Sequence, residues 1–281
     1  MTRVTASLYW ILPVFVLGAC VSVPEESTPT GSTAPSAHVR PSYNGAYARP
    51  LSDAPPANDL EKKARIHTEL GMEYLGFGRS DIALDEAKMA LKIQPGYTPA
   101  HHLIGMVYVE LKQHGQAEAA FREALSSAPG DPDFNNSFGW FLCQRGRVSE
   151  ALSHFATAAA NPYYNHKTRP HTNAGNCLLG ANDVAGAEIQ FRSALQADPG
   201  NSEALFRLAD VAYRRGNYRG AHDLLVQYHQ RFEPSARSAW LGLCAARRLG
   251  ERHSEASYMG QLRTRFPASP EYALMMQGKY Q

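Results

Sequence analysis

Ile104-Gly105-Met106-Val107-Tyr108, followed by Ala117, Phe121, Ala124 and Pro129, is the stretch on which the fold turns. Ile104, Gly105 and Tyr108 stand one helical turn apart, and Ala117, Phe121 and Ala124 follow one another at three or four residues. Both are spacings of a single face of an α-helix. Small residues let two helix axes approach closely, and the aromatic side chain fills the space beside them. The proline ends the unit because it cannot continue a helix.

The unit recurs along the chain. Glycines 71, 105 and 139 are spaced by 34 and 34, and the column continues through Gly175, Ala209 and Gly242 at 36, 34 and 33. A second small column runs Ala83, Ala117, Ala151, Ala187 and Ala221, each 12 residues after the first. A third runs Ala90, Ala124, Ala158 and Ala194, with Phe121, Phe155, Phe191 and Leu225 as the large residues between. Prolines punctuate at 95, 129, 162, 199 and 234. Turns such as Phe77-Gly78-Arg79 and Arg145-Gly146-Arg147 separate the two helices of a pair.

This grammar resembles the tetratricopeptide repeat. The resemblance implies an all-α, right-handed superhelical solenoid of six helix pairs over 58–267: about 64–97, 98–131, 132–167, 168–201, 202–234 and 235–267. The sixth repeat is irregular, its second helix aligning loosely around Ala256 before Arg265-Phe266-Pro267 closes it. Two extra residues near Tyr163-Tyr164-Asn165 predict a local widening or bend between repeats three and four. Residues 268–281 form a terminal cap, which solenoids need, with Tyr272, Ala273, Met275 and Met276.

Outward from the repeats, the 281 residues divide into unlike segments. Residues 1–19 carry no acid and one base, Arg3, and Leu8 to Leu17 is an apolar run of ten. A membrane-spanning helix needs about 20 residues, so this run has the length of a signal-peptide core instead. Leu17-Gly18-Ala19-Cys20 follows it directly and resembles the bacterial lipobox. The resemblance implies cleavage before Cys20, acylation of its thiol and amine, and a mature chain of 262 residues (281 less 19). Stable anchoring takes more than one acyl chain, and mature lipoproteins carry three. Val21, where an aspartate would signal inner-membrane retention, implies the outer membrane, with the protein facing the periplasm. Residues 20–57 hold seven of the 18 prolines and many Ser and Thr, and read as a disordered tether. As a flexible coil, 21–57 would span about 35 Å.

No catalytic chemistry emerges. Net charge is +2, which offers no basic excess for nucleic acid. There is no glycine-rich phosphate loop, no HExxH and no CxxC, and no cofactor is implied. Adjacent His101 and His102 face different directions on a helix, so no metal site is expected. The chain is expected to be a monomeric, non-enzymatic binding protein. Cys143 and Cys177 lie in the first helices of repeats three and four, 34 residues apart where the repeat is 36. They would sit half a turn apart on neighbouring helices, either as a disulfide or as two buried small hydrophobes. Cys244 has no evident partner.

First helices line the concave face of such a solenoid. Inward candidates are Met72 and Leu75 in repeat one, His102, Met106 and Val109 in repeat two, and Asn136 and Trp140 in repeat three. Asn176, Leu179, Phe206, Asp210 and Tyr213 continue the set. Being mostly apolar, they fit an apolar strand or amphipathic helix of a partner. Thr68 and Met72 stand where carboxylate-clamp members carry Lys and Asn, which argues against chaperone C-termini as ligands.

The whole arrangement resembles the type IV pilus biogenesis lipoproteins of the PilF/PilW type. The carriers are the lipobox with six repeats, Asn135-Asn136-Ser137-Phe138-Gly139-Trp140-Phe141-Leu142-Cys143, and Asn173-Ala174-Gly175-Asn176-Cys177. Ala187-Glu188, Phe191 to Leu195 with Asp198-Pro199, and Arg265 to Tyr272 add to them. The resemblance implies a pilotin that binds the outer-membrane secretin, supports its assembly, and is held to the membrane by its acyl chains. A periplasmic scaffold lipoprotein for envelope or cell-wall machinery, sharing only the repeats, is the alternative.

Overall fold

The structure, a computed structural model, describes residues 49–280. The expected signal peptide, Cys20 and the expected tether as far as residue 48 lie outside the described residues. Thirteen helices and no strand occur among those described. They pair as α1 (Asp59–Gly76) with α2 (Ser80–Ile93), α3 (Thr98–Glu110) with α4 (His114–Ser127), and α5 (Pro132–Gln144) with α6 (Val148–Ala160). α7 (Thr168–Gly180) pairs with α8 (Val184–Ala197), α9 (Ser202–Arg214) with α10 (Tyr218–Arg231), and α11 (Ala236–Leu249) with α12 (Arg252–Arg265). The short α13 (Pro270–Met276) closes the array. Each helix packs on its partner, and the first helices pack on one another (α1 on α3, α3 on α5, α5 on α7), which builds the solenoid.

The small column is a steric requirement. A Cβ on Gly105 would stand 2.8 Å from the Phe121 ring, on Gly139 2.9 Å from Phe155, and on Gly175 2.6 Å from Phe191. All three rings are fully buried. The fifth repeat solves the same crossing differently: Ala209 occupies the glycine position and the smaller Leu225 lies opposite, both buried. The sixth repeat is more regular than its sequence suggests. A Cβ on Gly242 would meet Tyr258 at 2.5 Å, so Tyr258 takes the aromatic position and Ser254 that of the second alanine. Ala256 is exposed and marks no core position.

Within each pair the chain reverses through one left-handed residue: Gly78, Lys112, Gly146, Asn182, Gly216 and Gly250, with φ between 58° and 76°. Glycine suits that conformation, and Lys112 and Asn182 adopt it at a cost. Asn58, Asp131, Asn201 and Ser235 cap the starts of α1, α5, α9 and α11 by accepting backbone N–H groups. Cys143 and Cys177 are bonded, with Cα atoms 5.7 Å apart, and join α5 to α7. Cys244 is free and buried, and burial pushes its thiol up to about 11.

Residues 49–57, assigned by composition to a disordered tether, are ordered instead. Pro50 is buried, and its carbonyl accepts the amides of Asp53 and Ala54 at 2.9 and 3.2 Å in a tight turn. The turn is held by residues far along the chain, which composition does not register.

Candidate functional site

The first helices of repeats one to three surround two adjoining hollows on the concave face. One, of about 410 Å³, is lined by Met72, Leu75, Met106, Val109, Asn136 and Trp140, among others. The other, of about 270 Å³, shares Met72, Met106 and Ser137 with it and extends towards the helix N-termini past His102 and Phe134. Helical spacing explains the gathering: Met72 and Leu75 are three apart, as are Met106 and Val109, and Asn136 and Trp140 are four apart. Three neighbouring first helices repeat this face. Trp140 keeps 40% of its surface in solvent beside these methionines, which makes it an accessible aromatic anchor.

Two members of the predicted set face inward. His102 is buried, its ring 4.7 Å from that of Phe134, and its Nε2 has no hydrogen-bond partner. Burial pushes its imidazole down to about 4, so it is neutral at physiological pH. Asn136 is also buried, and its Oδ1 accepts a hydrogen bond from Asn173 Nδ2 at 3.0 Å, which ties α5 to α7.

The remaining candidates do not line either hollow. Leu179 packs against the cluster around Leu178 and Phe191. Phe206 and Tyr213 pack beside Ala209, Leu225 and Leu241. Asp210 accepts from Arg214 at 3.1 Å, one turn away on α9. Asn176 is half-buried on α7, away from both. Leu179, Phe206 and Tyr213 thus spend much of their apolar surface on packing within and between the later repeats.

Sequence reasoning missed the acidic end of the site. Asp131 caps α5 through Oδ1, accepting the amides of Asp133 and Phe134 at 3.0 and 3.1 Å. Its other oxygen accepts the amide of Leu51 at 2.8 Å. Burial pushes this carboxyl up, and the Leu51 and Phe134 amides partly offset the shift. Asp133, two residues on, accepts from the Tyr164 hydroxyl at 3.0 Å and from Ser52 at 3.2 Å, with Arg169 3.7 Å away. Thus the extra residues around Tyr163-Tyr164-Asn165 place a fully buried tyrosine beneath this corner. The signal available in the sequence was Gly130-Asp131-Pro132-Asp133, a helix start carrying one acid more than a cap needs.

Three other histidines join the two helices of a pair. His67 contacts Glu86 at 2.6 Å, His154 contacts Asn135 at 2.8 Å and His171 contacts Gln190 at 3.0 Å, each across 19 residues. The recurrence marks a structural register rather than a site. Among the described residues no group of three or more His, Cys, Asp or Glu could hold a metal. Carboxylates on the second helices are matched by arginines, as in Glu118 with Arg147 and Arg122, both at 2.5 Å.

Comparison with known proteins agrees with this architecture. Tetratricopeptide-repeat family profiles match residues 68–132, 102–165 and 178–246. The type IV pilus assembly protein PilF of Pseudomonas aeruginosa is 28% identical over 206 residues, covering 73% of this chain and 82% of PilF. The crystal structure of PilW, a widely conserved type IV pilus biogenesis factor, superposes with a TM-score of 0.69 at 31% identity. That match covers 78% of this chain and all of the PilW chain. The P. aeruginosa PilF structure gives the same TM-score at 26% identity, over 79% of this chain and all of that one. With its repeats, its solenoid and its end-to-end match to PilW, the chain belongs to the PilF/PilW family of tetratricopeptide-repeat proteins of type IV pilus biogenesis.

Proposed function

We propose that this chain is a pilotin: an outer-membrane lipoprotein, acylated at Cys20 and facing the periplasm, that grips a secretin subunit and supports its assembly into the pilus pore. The observation that carries the reading is the pair of adjoining hollows in repeats one to three, floored by Met72 and Met106 and flanked by the exposed Trp140. Flexible thioethers adapt to an apolar segment, and a rigid aromatic at the edge anchors it. Met72 and Met106, which both hollows share, carry no charge, while Arg65, Glu69, Asp133 and Arg169 line the smaller hollow with both signs.

Division of labour follows from the chain's order. Acyl chains at residue 20 would hold the protein at the membrane, and the early repeats, nearest that end, would present the groove. The test is direct binding of purified secretin by the soluble chain starting at residue 20. Met106→Glu places a carboxylate on the shared floor of both hollows and is expected to weaken capture at least tenfold. Capture unchanged by Met106→Glu and by Trp140→Ala together would overturn the assignment of the groove.

A further inference from the structure

Residues 49–54 lie at the acidic end of the groove, where Leu51 and Ser52 form part of the wall of the smaller hollow. The contacts that hold them are mostly to backbone. Asp131 accepts the Leu51 amide. Arg65 on α1 donates to the carbonyls of Ala54 and Ser52 at 2.8 and 2.9 Å, with its Nε on Glu69 at 2.6 Å. Only Ser52 on Asp133 at 3.2 Å and Asp53 with Asn165 at 3.1 Å use side chains of the segment, and both bonds are exposed. Backbone contacts do not depend on which residues make them. Pro50 is buried, Leu51 and Ala54 are half-buried, and Ser52 and Asp53 are exposed, so the segment buries little apolar surface, as segments that open locally do.

We propose that residues 49–54 are a resident ligand of the concave face, displaced when a partner segment that folds into a similar tight turn and carries a branched apolar side chain takes over the Asp131 and Arg65 contacts. The proposal rests on the reading that the groove receives a protein segment. It adds that the segment turns at this end as the strap does, that Asp131 and Arg65 clamp its backbone, and that the chain's own strap competes with it. The strap is joined to α1 by four residues, so its local concentration is high, about millimolar or above. A partner must therefore outcompete it, and a weak or chance ligand does not.

The experiment uses the full mature chain and a fluorescent peptide of the strap itself, residues 49–56, followed by anisotropy. Leu51→Asp sets a carboxylate beside Asp131 and Asp133 and should expel the strap while leaving the clamp intact. If the strap is docked nine-tenths of the time, freeing the site tightens apparent peptide affinity about tenfold. Equal affinity for wild type and Leu51→Asp, or binding to neither, would overturn the proposal. Unchanged thermal unfolding of Leu51→Asp verifies that the solenoid is intact, and Leu51→Ala provides a milder second variant expected to shift affinity in the same direction. Secretin capture separates the two readings. Capture that depends on Met106 but is unchanged or weakened by Leu51→Asp leaves the groove assignment standing and removes the competing strap. The peptide result without any secretin capture does the reverse.

Discussion

If glycine is required at position 139 because Phe155 fills the crossing, then shrinking that ring should make alanine acceptable. The fifth repeat already contains this solution in Ala209 and Leu225. A Cβ on Gly139 would lie 2.9 and 3.0 Å from Phe155 ring atoms and 3.1 Å from the Ala151 carbonyl, inside ordinary contact distance. Overpacking of this kind costs about 1–3 kcal/mol, and alanine's better helix propensity returns about 1. Because backbone as well as ring is in the way, Gly139→Ala alone should cost about 1–2 kcal/mol. Phe155→Leu alone leaves a cavity and should cost about 1.5 kcal/mol. Independent effects would sum to about 3 kcal/mol, whereas the double variant should cost about 1.5 or less, a favourable coupling of about 1–2 kcal/mol. Thermal unfolding followed by circular dichroism reads this as a shift of about 2–4 °C per kcal/mol for a domain of this size. Additive shifts would refute the steric account of the small column.

Lys112→Gly should stabilise the chain by about 1 kcal/mol, because Lys112 holds φ at 58° in a turn that four other repeats fill with glycine; a lower unfolding midpoint would count against this. Reduction and alkylation of the denatured native protein should add two alkyl groups beyond the one on Cys244, and Cys143→Ser should cost up to about 4 kcal/mol for a closed loop of 34 residues; no extra mass after reduction would show that the bridge is absent. His102 links stability to pH. Its folded value of about 4 lies below the ordinary 6.5, so above 6.5 both states are neutral, and as pH falls the unfolded chain takes the proton first and stability is lost. At pH 5 the loss from this group is about 2 kcal/mol and at pH 4 about 3 kcal/mol, and His102→Leu should remove that loss from the pH dependence of stability, read through the melting temperature. An unchanged slope would place the imidazole in contact with water.

Much of the fold was legible because its determinants are local and periodic. Gly105 opposite Phe121 and Gly139 opposite Phe155 are read at fixed spacing, and the Cys143–Cys177 proximity follows from the offset between 34 and 36 residues. The sixth repeat is less legible because Tyr258 and Ser254 stand where the other repeats carry Phe or Leu and Ala. Half of the site was legible for the same reason: Met72, Leu75, Met106, Val109 and Trp140 share a face by helical spacing and line one hollow. Inward-facing His102 and Asn136 were not distinguished from their exposed neighbours, since the edge of a helix face is decided by the neighbouring helix. The strap was illegible because proline-rich composition predicts weak local order, and its order comes from Asp131, 80 residues away from Leu51. Single polar contacts of that range leave no periodic trace.

The proposed support of secretin assembly is read most directly from the amount of heat-stable secretin multimer in outer membranes from cells lacking the chain. Multimers should disappear while monomeric secretin persists. They should return with the wild-type chain, and fail to return with Cys20→Ala or with Met106→Glu expressed at the same level. Normal multimers in the deletion strain would contradict the account.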